Sequence, residues 1–267
     1  MEELTIIIPV HEYNETIEKY LQRAIESVEA QTEKPSNIII VGPKEVINAQ
    51  RQQLDTTSIG FELITNEGQT DYCSQINLAV KYVITKYFSI LEFDDYYQKN
   101  WLKNVNIYTK FKPDFSIFLP IAKFVNVKDE EVCLANEILW SLAFANELGV
   151  IDPEMLQSYG DFSVPGGVIR TDDFIEIGGL KPSIKLSFWY EFLLRASNNG
   201  VKAFVIPKTG YIHTIERKDS LMDQLSAMSE KETSFWMELA KKEYYFVNER
   251  ADKAKFVEKK KLTEIIK

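Results

Sequence analysis

The stretch FSILEFDDYYQKNW, residues 88–101, decides the reading of this chain. Its apolar start reads as a buried strand over 88–93, and it runs directly into acids: Glu92, Asp94 and Asp95, with only Phe93 among them. Three carboxylates at one strand end repel each other and resist burial. Either Asp94 or Asp95 caps a helix beginning near Gln98, or a cation is held among the acids.

Upstream, LTIIIPV (4–10), NIIIVG (37–42) and FELIT (61–65) read as strands, and 16–31, 44–54 and 72–87 as helices. The first helix has an apolar stripe at Ile17, Leu21, Ala24, Ile25 and Val28. Strand and helix thus alternate up to the strand at 88–93, the pattern of a parallel sheet wrapped by helices. Ligands of such sheets bind beyond the carboxyl ends of the strands, where Pro9, Gly42, Asn66 and Asp94 fall. Downstream the pattern predicts strands at 115–120, 123–127, 162–170 (broken by glycines) and 202–207, with helices at 134–148 and 186–199. From about Ser220 a polar helical appendage follows, with Leu221, Leu225, Met228, Phe235, Trp236, Leu239 and Tyr244 at imperfect helical spacing.

The chain has 267 residues, 45% of them hydrophobic, enough for one large domain or a domain with an appendage. No apolar run approaches the roughly 20 residues of a membrane helix. The acidic start MEELTIIIPV lacks the basic region of a signal peptide, which predicts a cytoplasmic protein. Cys73 and Cys133 form no CxxC and are expected to be free buried thiols in a reducing compartment. Two histidines, His11 and His213, exclude a multi-histidine zinc centre. The net charge of −9 argues against a nucleic-acid-coating protein, although residues 250–267 carry seven Lys/Arg against three acids. That basic tail is either a solvated helix end or a weak anion-docking surface.

Five segments in order resemble glycosyltransferase family 2, the inverting enzymes with a GT-A fold. They are TIIIPVHEYNETIEKYLQRAIESVEAQT, NIIIVG, NEG…INLAV, ILEFDDYYQKNWLKNV and VPGGVIRTDDFIEIGGLKPSIKLSFWYEFLLRASNNGVKAFVIP, together spanning about residues 4 to 220. Compact chains with the EFDD and FWYEFLLR variants also resemble family-2-like proteins of large tailed phages. The resemblance implies a mostly parallel nucleotide-binding sheet flanked by helices, a mixed acceptor-side sheet and a C-terminal helical appendage. It places the glycosyltransferase domain at 1–219, with a nucleotide-sugar half (1–112) and an acceptor half (113–219), and the appendage at 220–267.

It further implies a nucleotide-diphosphate sugar donor and Mn2+ or Mg2+ to stabilise the departing diphosphate. Asp94 and Asp95 become metal and sugar-phosphate ligands, with Glu92 where the family usually has Asp. His213 is a third ligand or a half-buried strand histidine. Arg217 and Lys218 neutralise phosphate or are solvated loop charges. Pro9, His11, Glu12, Tyr13 and Asp71 fall on the donor side, while Ser74 and Asn77 are equally readable as helix-face polar residues. Glu191 is the implied base, and its i,i+4 spacing to Arg195 is equally that of a helix salt bridge. Trp189 either lines an acceptor pocket or fills core; Tyr190 and Gly167 are placed on the acceptor side.

The family's second strand normally ends in Asp-Asp-Gly-Ser, whose acid reads the nucleotide base. Here Val41-Gly42-Pro43-Lys44 stands instead. The expected acceptor is a glycan or a hydroxymethylated pyrimidine of phage DNA, in the latter case in a host cytoplasm. A non-catalytic interaction domain and a nucleotidyltransferase are the alternatives. The second would favour a basic, glycine-rich loop after the first strand, and PVHEYNET is acidic and glycine-free.

Overall fold

The computed structural model describes residues 3–12, 14–51, 60–69, 71–215 and 230–243. The first half alternates strictly: β1 (Leu4–Pro9), α1 (Glu15–Glu29), β2 (Asn37–Pro43), α2 (Lys44–Arg51), β3 (Phe61–Asn66), α3 (Tyr72–Val80) and β4 (Tyr87–Ile90). β1 pairs in parallel with β2 and β4, and β2 with β3, giving the order β3-β2-β1-β4. Successive strand residues point to opposite faces. Ile6, Ile8, Ile38 and Ile40 therefore pack under α1 and α2, while Ile7, Ile39 and Val41 pack against α3 on the other face. Both faces are covered, which is why β1 and β2 read as unbroken apolar runs. The α1 stripe is buried as its spacing predicts, and Asn14 caps the helix by accepting from the N–H groups of Thr16 and Ile17.

The second half consists of β5 (Tyr96–Tyr97), α4 (Trp101–Phe111), β6 (Ile117–Val125), β7 (Glu131–Ala135), a 3-10 turn (Glu137–Trp140), β8 (Val150–Ile151), α5 (Pro153–Ser158), β9 (Val168–Arg170), α6 (Thr171–Glu176), α7 (Phe188–Asn198), β10 (Ala203–Thr214) and α8 (Glu230–Glu243). The sheet continues β4-β9-β6-β10-β5, and β9 runs antiparallel to both β4 and β6. β6 and β10 run parallel to each other, so the sheet is mixed on this side.

Three expectations are corrected here. The strands expected at 115–120 and 123–127 are one continuous strand, β6. The helix expected over 134–148 does not form: Glu131–Ala135 instead pairs antiparallel with β6, followed by the 3-10 turn. Of the strand expected over 162–170, only β9 is strand. β6 is held along its length by β10, and β7 by its antiparallel pairing with β6, so pairing overrides local periodicity in both. Cys73 and Cys133 are free thiols, but Cys133 lies exposed on β7 rather than buried. Of the appendage, α8 is described; its Ala240 is fully buried and the Trp236 carbonyl accepts from the Ser187 hydroxyl at 2.8 Å. The basic stretch 250–267 lies outside the described residues. Among the described residues no helix is long and apolar enough to cross a membrane.

Candidate active site

β4 ends at Ile90, so Glu92, Asp94 and Asp95 occupy the turn between β4 and β5 at the carboxyl edge of the parallel strands. They cap no helix: α4 begins at Trp101, and its N-cap residue is Asn100. The turn is fixed by β10. Tyr97 and Tyr96 pair antiparallel with Tyr211 and Ile212, which brings the end of β10 alongside the acids. Tyr211 and His213 alternate on one face of that strand, as i,i+2 residues must.

Asp95 is fully buried and accepts three hydrogen bonds from that strand. The Tyr211 hydroxyl donates to Oδ2 at 2.6 Å, His213 Nδ1 lies 2.7 Å from Oδ2, and the Thr214 N–H donates to Oδ1 at 2.7 Å. Tyr211 in turn accepts from the Glu92 N–H at 3.2 Å. Its ring passes where only a glycine fits. Gly166 has φ +79°, and a Cβ there would lie 2.3 Å from the Tyr211 ring. Arg23 of α1 reaches across to donate to the Asp94 carbonyl at 2.5 Å and to the Thr214 hydroxyl at 2.9 Å, while that hydroxyl donates to the same carbonyl.

Ligand atoms of Glu92, Asp95 and His213 all lie within 4.8 Å of one another. This departs from the expected set in one member: Glu92, expected on the donor side, joins Asp95 and His213, and Asp94 does not. Two carboxylates and an imidazole suit a divalent cation that takes mixed oxygen and nitrogen ligands, Mn2+ more readily than the oxygen-demanding Mg2+. Bonds of about 2.1 Å put opposite ligands at most about 4.2 Å apart, so a small contraction of the cluster is enough to close on an ion.

The electrostatics match a site awaiting positive charge. Burial, and then the Asp95 carboxylate, push the Glu92 carboxyl up to about 8. Burial alone would lower His213, but the carboxylates of Asp95, Glu92 and Asp94 outweigh it and raise the imidazole to about 9. Burial together with Asp95 and Glu92 also raises the Tyr211 phenol, which keeps it a hydrogen-bond donor.

The remaining expected site residues divide. Pro9 is buried at the end of β1. His11 and Glu12 follow it, paired at 3.5 Å, and the His11 ring meets Phe93 edge-on at 5.2 Å, beside the acidic turn. Tyr13 and Arg217 lie outside the described residues, as does Lys218. Asp71 is exposed and caps α3 by accepting from the Ser74 N–H. The Asn77 side chain is spent on Leu180, bonding both its N–H and its carbonyl. A shallow depression of about 540 Å3 at the end of β3 is lined by Asn66, Gly68, Gln69, Ser74 and Lys81 among others, and by none of the acids.

Two residues expected on the acceptor side make inward contacts. Gly167 is buried in the sheet, where a Cβ would strike Leu119 at 2.6 Å, and its carbonyl accepts from Ser89. The Tyr190 hydroxyl is turned inward to the Leu156 carbonyl. Trp189 is half-buried, its ring 6.4 Å from that of Tyr72 and nearly perpendicular to it.

Glu191, the implied base, sits in an ion-pair network. It is fully buried, with both oxygens held by Arg195 at 2.9 Å and Oε1 also by the Lys181 ammonium at 3.1 Å. Arg195 continues to the carbonyls of Ile177 and Gly179. Through these contacts the carboxylate ties α7 to the turn that precedes it. At the altered end of β2, a Cβ on Gly42 would come within 2.3 Å of the Val10 carbonyl oxygen, so the ends of β1 and β2 approach closely there.

Sequence reasoning passed over Tyr211, Thr214 and Arg23. The i,i+2 spacing of Tyr211 and His213 in GYIHT was a signal for the first. Arg23, on the first helix, gave none.

A mostly parallel sheet with acids at its strand ends, extended by a mixed sheet on the far side, defines a GT-A type fold. Residues 5–140 match the model of glycosyl transferase family 2, which is over half of the chain. The chain belongs to that family. No curated protein sequence matches it. Among solved structures, the chain is similar to residues 1–349 of S. aureus TarS in complex with UDP-GlcNAc, at 16% identity and TM-score 0.58, covering 86% of this chain and 62% of that one. The UDP complex of the same piece aligns at 15% identity and TM-score 0.56, over 80% and 61% of the two chains. A further TarS structure aligns at 15% identity and TM-score 0.54, over 92% and 43%. This chain therefore spans about 60% of the length of the TarS pieces, and the likeness is one of fold.

Proposed function

We propose that the chain transfers a glycosyl unit from a nucleotide-diphosphate sugar to an acceptor hydroxyl with inversion at the anomeric carbon. The observation carrying this reading is the Glu92, Asp95 and His213 cluster at the carboxyl edge of the parallel strands. That the TarS structures of like fold hold UDP and UDP-GlcNAc makes a uridine diphosphate sugar the first donor to test.

Mn2+ or Mg2+, when bound by these three residues, would supply positive charge for the departing diphosphate. The chain's own part is preorganisation. Tyr211 and the Thr214 N–H hold the Asp95 carboxylate in one orientation, and Arg23 with the Thr214 hydroxyl holds the backbone of the turn that carries it. Such supporting hydrogen bonds keep a ligand set from collapsing or turning away. His11 and Glu12 flank the same edge, on the side of the nucleotide. Glu191 acts as a clamp for α7. Residues 1–112 form the donor half, 113–219 the acceptor half and 220–267 an appendage. The acceptor we favour is a glycan in the cytoplasm.

The test is calorimetric titration of UDP and UDP-GlcNAc with Mn2+ and with EDTA, paired with a transfer assay over donors and glycans read by mass spectrometry. Metal-dependent nucleotide binding that Asp95→Asn abolishes supports the reading. If neither UDP nor UDP-GlcNAc binds and no donor in the transfer assay is turned over with Mn2+, the chain is a non-catalytic member of its fold.

A further inference from the structure

Among the described residues other than glycine, only Asp129 and Asn136 hold a positive φ, at 61° and 72°. Few side chains tolerate that region, and residues kept there gather where the surrounding structure over-determines them. Asp129 lies at an exposed hairpin tip, whereas Asn136, the residue after β7, is fully buried. Its side-chain amide is spent on backbone groups. The NH2 group donates to the Pro120 and Ser163 carbonyls, each at 2.8 Å, and the oxygen accepts from the Ser163 N–H at 3.0 Å. Both backbone groups of Ser163 are thereby satisfied, as a neighbouring strand would satisfy them, and the residue is tied to β6.

Both anchor points bear on the acid cluster. Pro120 has no N–H for a ladder, and the pairing of β6 with β10 slips register beside it. Such irregularities re-aim the strand beyond them. Here that strand is the end of β10, which carries Tyr211, His213 and Thr214 to Asp95. Ser163 opens the loop 163–167. In that loop the Gly166 N–H donates to the Ile90 carbonyl at 2.8 Å, just ahead of Glu92, and the Gly166 carbonyl accepts from the Trp101 indole at 2.9 Å. Gly166 lies so close to the Tyr211 ring that no Cβ fits between them, so the loop fixes where that ring can lie. The Tyr211 hydroxyl then meets both acids, donating to the Asp95 carboxylate and accepting from the Glu92 N–H. Asn136 makes none of these contacts itself; it holds the backbone that makes them.

We propose that Asn136 is a positioning residue for the Glu92, Asp95 and His213 cluster, acting through the 163–167 loop and the Tyr211 ring. This rests on the reading of that cluster as a seat for a divalent cation, and it names what sets the shape of the seat. A residue that only stabilised the fold would act to the same extent with or without the Tyr211 hydroxyl. A residue that works by placing that hydroxyl loses its influence once the hydroxyl is removed.

The probe is Mn2+ alone, titrated by calorimetry well below the melting temperature of each protein. Asn136→Gly keeps the left-handed backbone and removes the amide. Gly166→Ala strikes the Tyr211 ring at the next link and serves as the second variant should the first not fold. Each is made in the wild-type and in the Tyr211→Phe background, which closes a double-mutant cycle. Ile47→Ala, at a fully buried position of α2, is the control for lost stability. Asn136→Gly is expected to weaken Mn2+ about tenfold in the wild-type background and less than about twofold in Tyr211→Phe. Ile47→Ala should lower the melting temperature and leave the Mn2+ Kd unchanged. An unchanged Kd in Asn136→Gly, or an equal loss in both backgrounds, would overturn the positioning role and leave the cation seat intact. A wild-type protein that binds no Mn2+ would overturn the cation seat, and the positioning role with it.

Discussion

Replacing Glu191 with glutamine separates the two roles its sequence position allows. The carboxylate is fully buried and faces two cations, Arg195 with a side chain 8% exposed and Lys181 with one 33% exposed. Glutamine keeps the volume and one acceptor oxygen but removes the charge, leaving the Arg195 guanidinium buried without a counter-ion. Breaking a buried pair by removing one partner costs about 3–5 kcal/mol. For a chain of this size each kcal/mol lowers Tm by about 2–4 °C, so the expected loss is about 6–20 °C. Lys181→Met removes only the partly exposed partner, and solvent screening holds its cost below about 1 kcal/mol. Thermal unfolding of the three proteins by circular dichroism, with UDP binding as a check on the donor edge, measures this ordering. A Glu191→Gln protein with wild-type Tm and turnover reduced more than a hundredfold would refute the clamp and restore the carboxylate as the base.

Asp95→Asn removes the charge that the cluster offers a cation and turns an NH2 group against the Tyr211 hydroxyl or the Thr214 N–H, so Mn2+ and metal-dependent nucleotide binding should weaken at least tenfold in calorimetry. The metal-free protein should lose stability with rising pH. His213 sits at about 9, above its ordinary 6.5, so its contribution is complete below pH 6.5 and is lost as pH rises through 9. Glu92 sits at about 8, above its ordinary 4.5, so the fold favours its neutral form and stability falls in the same direction, from 4.5 through 8. Melting in EDTA should therefore show a declining Tm between about pH 6.5 and 9. Mn2+ should cancel the decline, because its binding expels the same protons; a flat EDTA profile would count against the cluster. Gly42→Ala should destabilise by about 1–3 kcal/mol in urea unfolding, since its Cβ would lie 2.3 Å from the Val10 carbonyl oxygen, and an unchanged midpoint would show that the strand ends can part.

Much of the first half was legible because its signals are local. Each of β1, β2 and β3 carries an apolar run bounded by a turn or a helix, and the stripe on α1 repeats at helical spacing within one element. The segment 134–148 misled because helical spacing alone does not show that its start is a hairpin strand. Its residues are compatible with a helix, and Glu131–Ala135 becomes a strand through pairing with β6. The clamp was half legible: Glu191 and Arg195 are four apart on one helix, whereas Lys181 and the carbonyls of Ile177 and Gly179 reach it only in the folded chain.

The acids of residues 92–95 show how the determination divides. By itself the sequence put three carboxylates at a strand end, because an apolar run followed by acids has few other readings. Which of them gather was decided by tertiary structure. The two-residue ladder between β5 and β10 brings Tyr211, His213 and Thr214 to Asp95 across more than a hundred residues of chain, and Arg23 turns the Asp94 carbonyl toward α1. Asp95 and Glu92 thereby face the imidazole while Asp94 stays out of the cluster. A carboxylate's orientation is set by the donors around it, and here those donors come from elements that no local pattern connects.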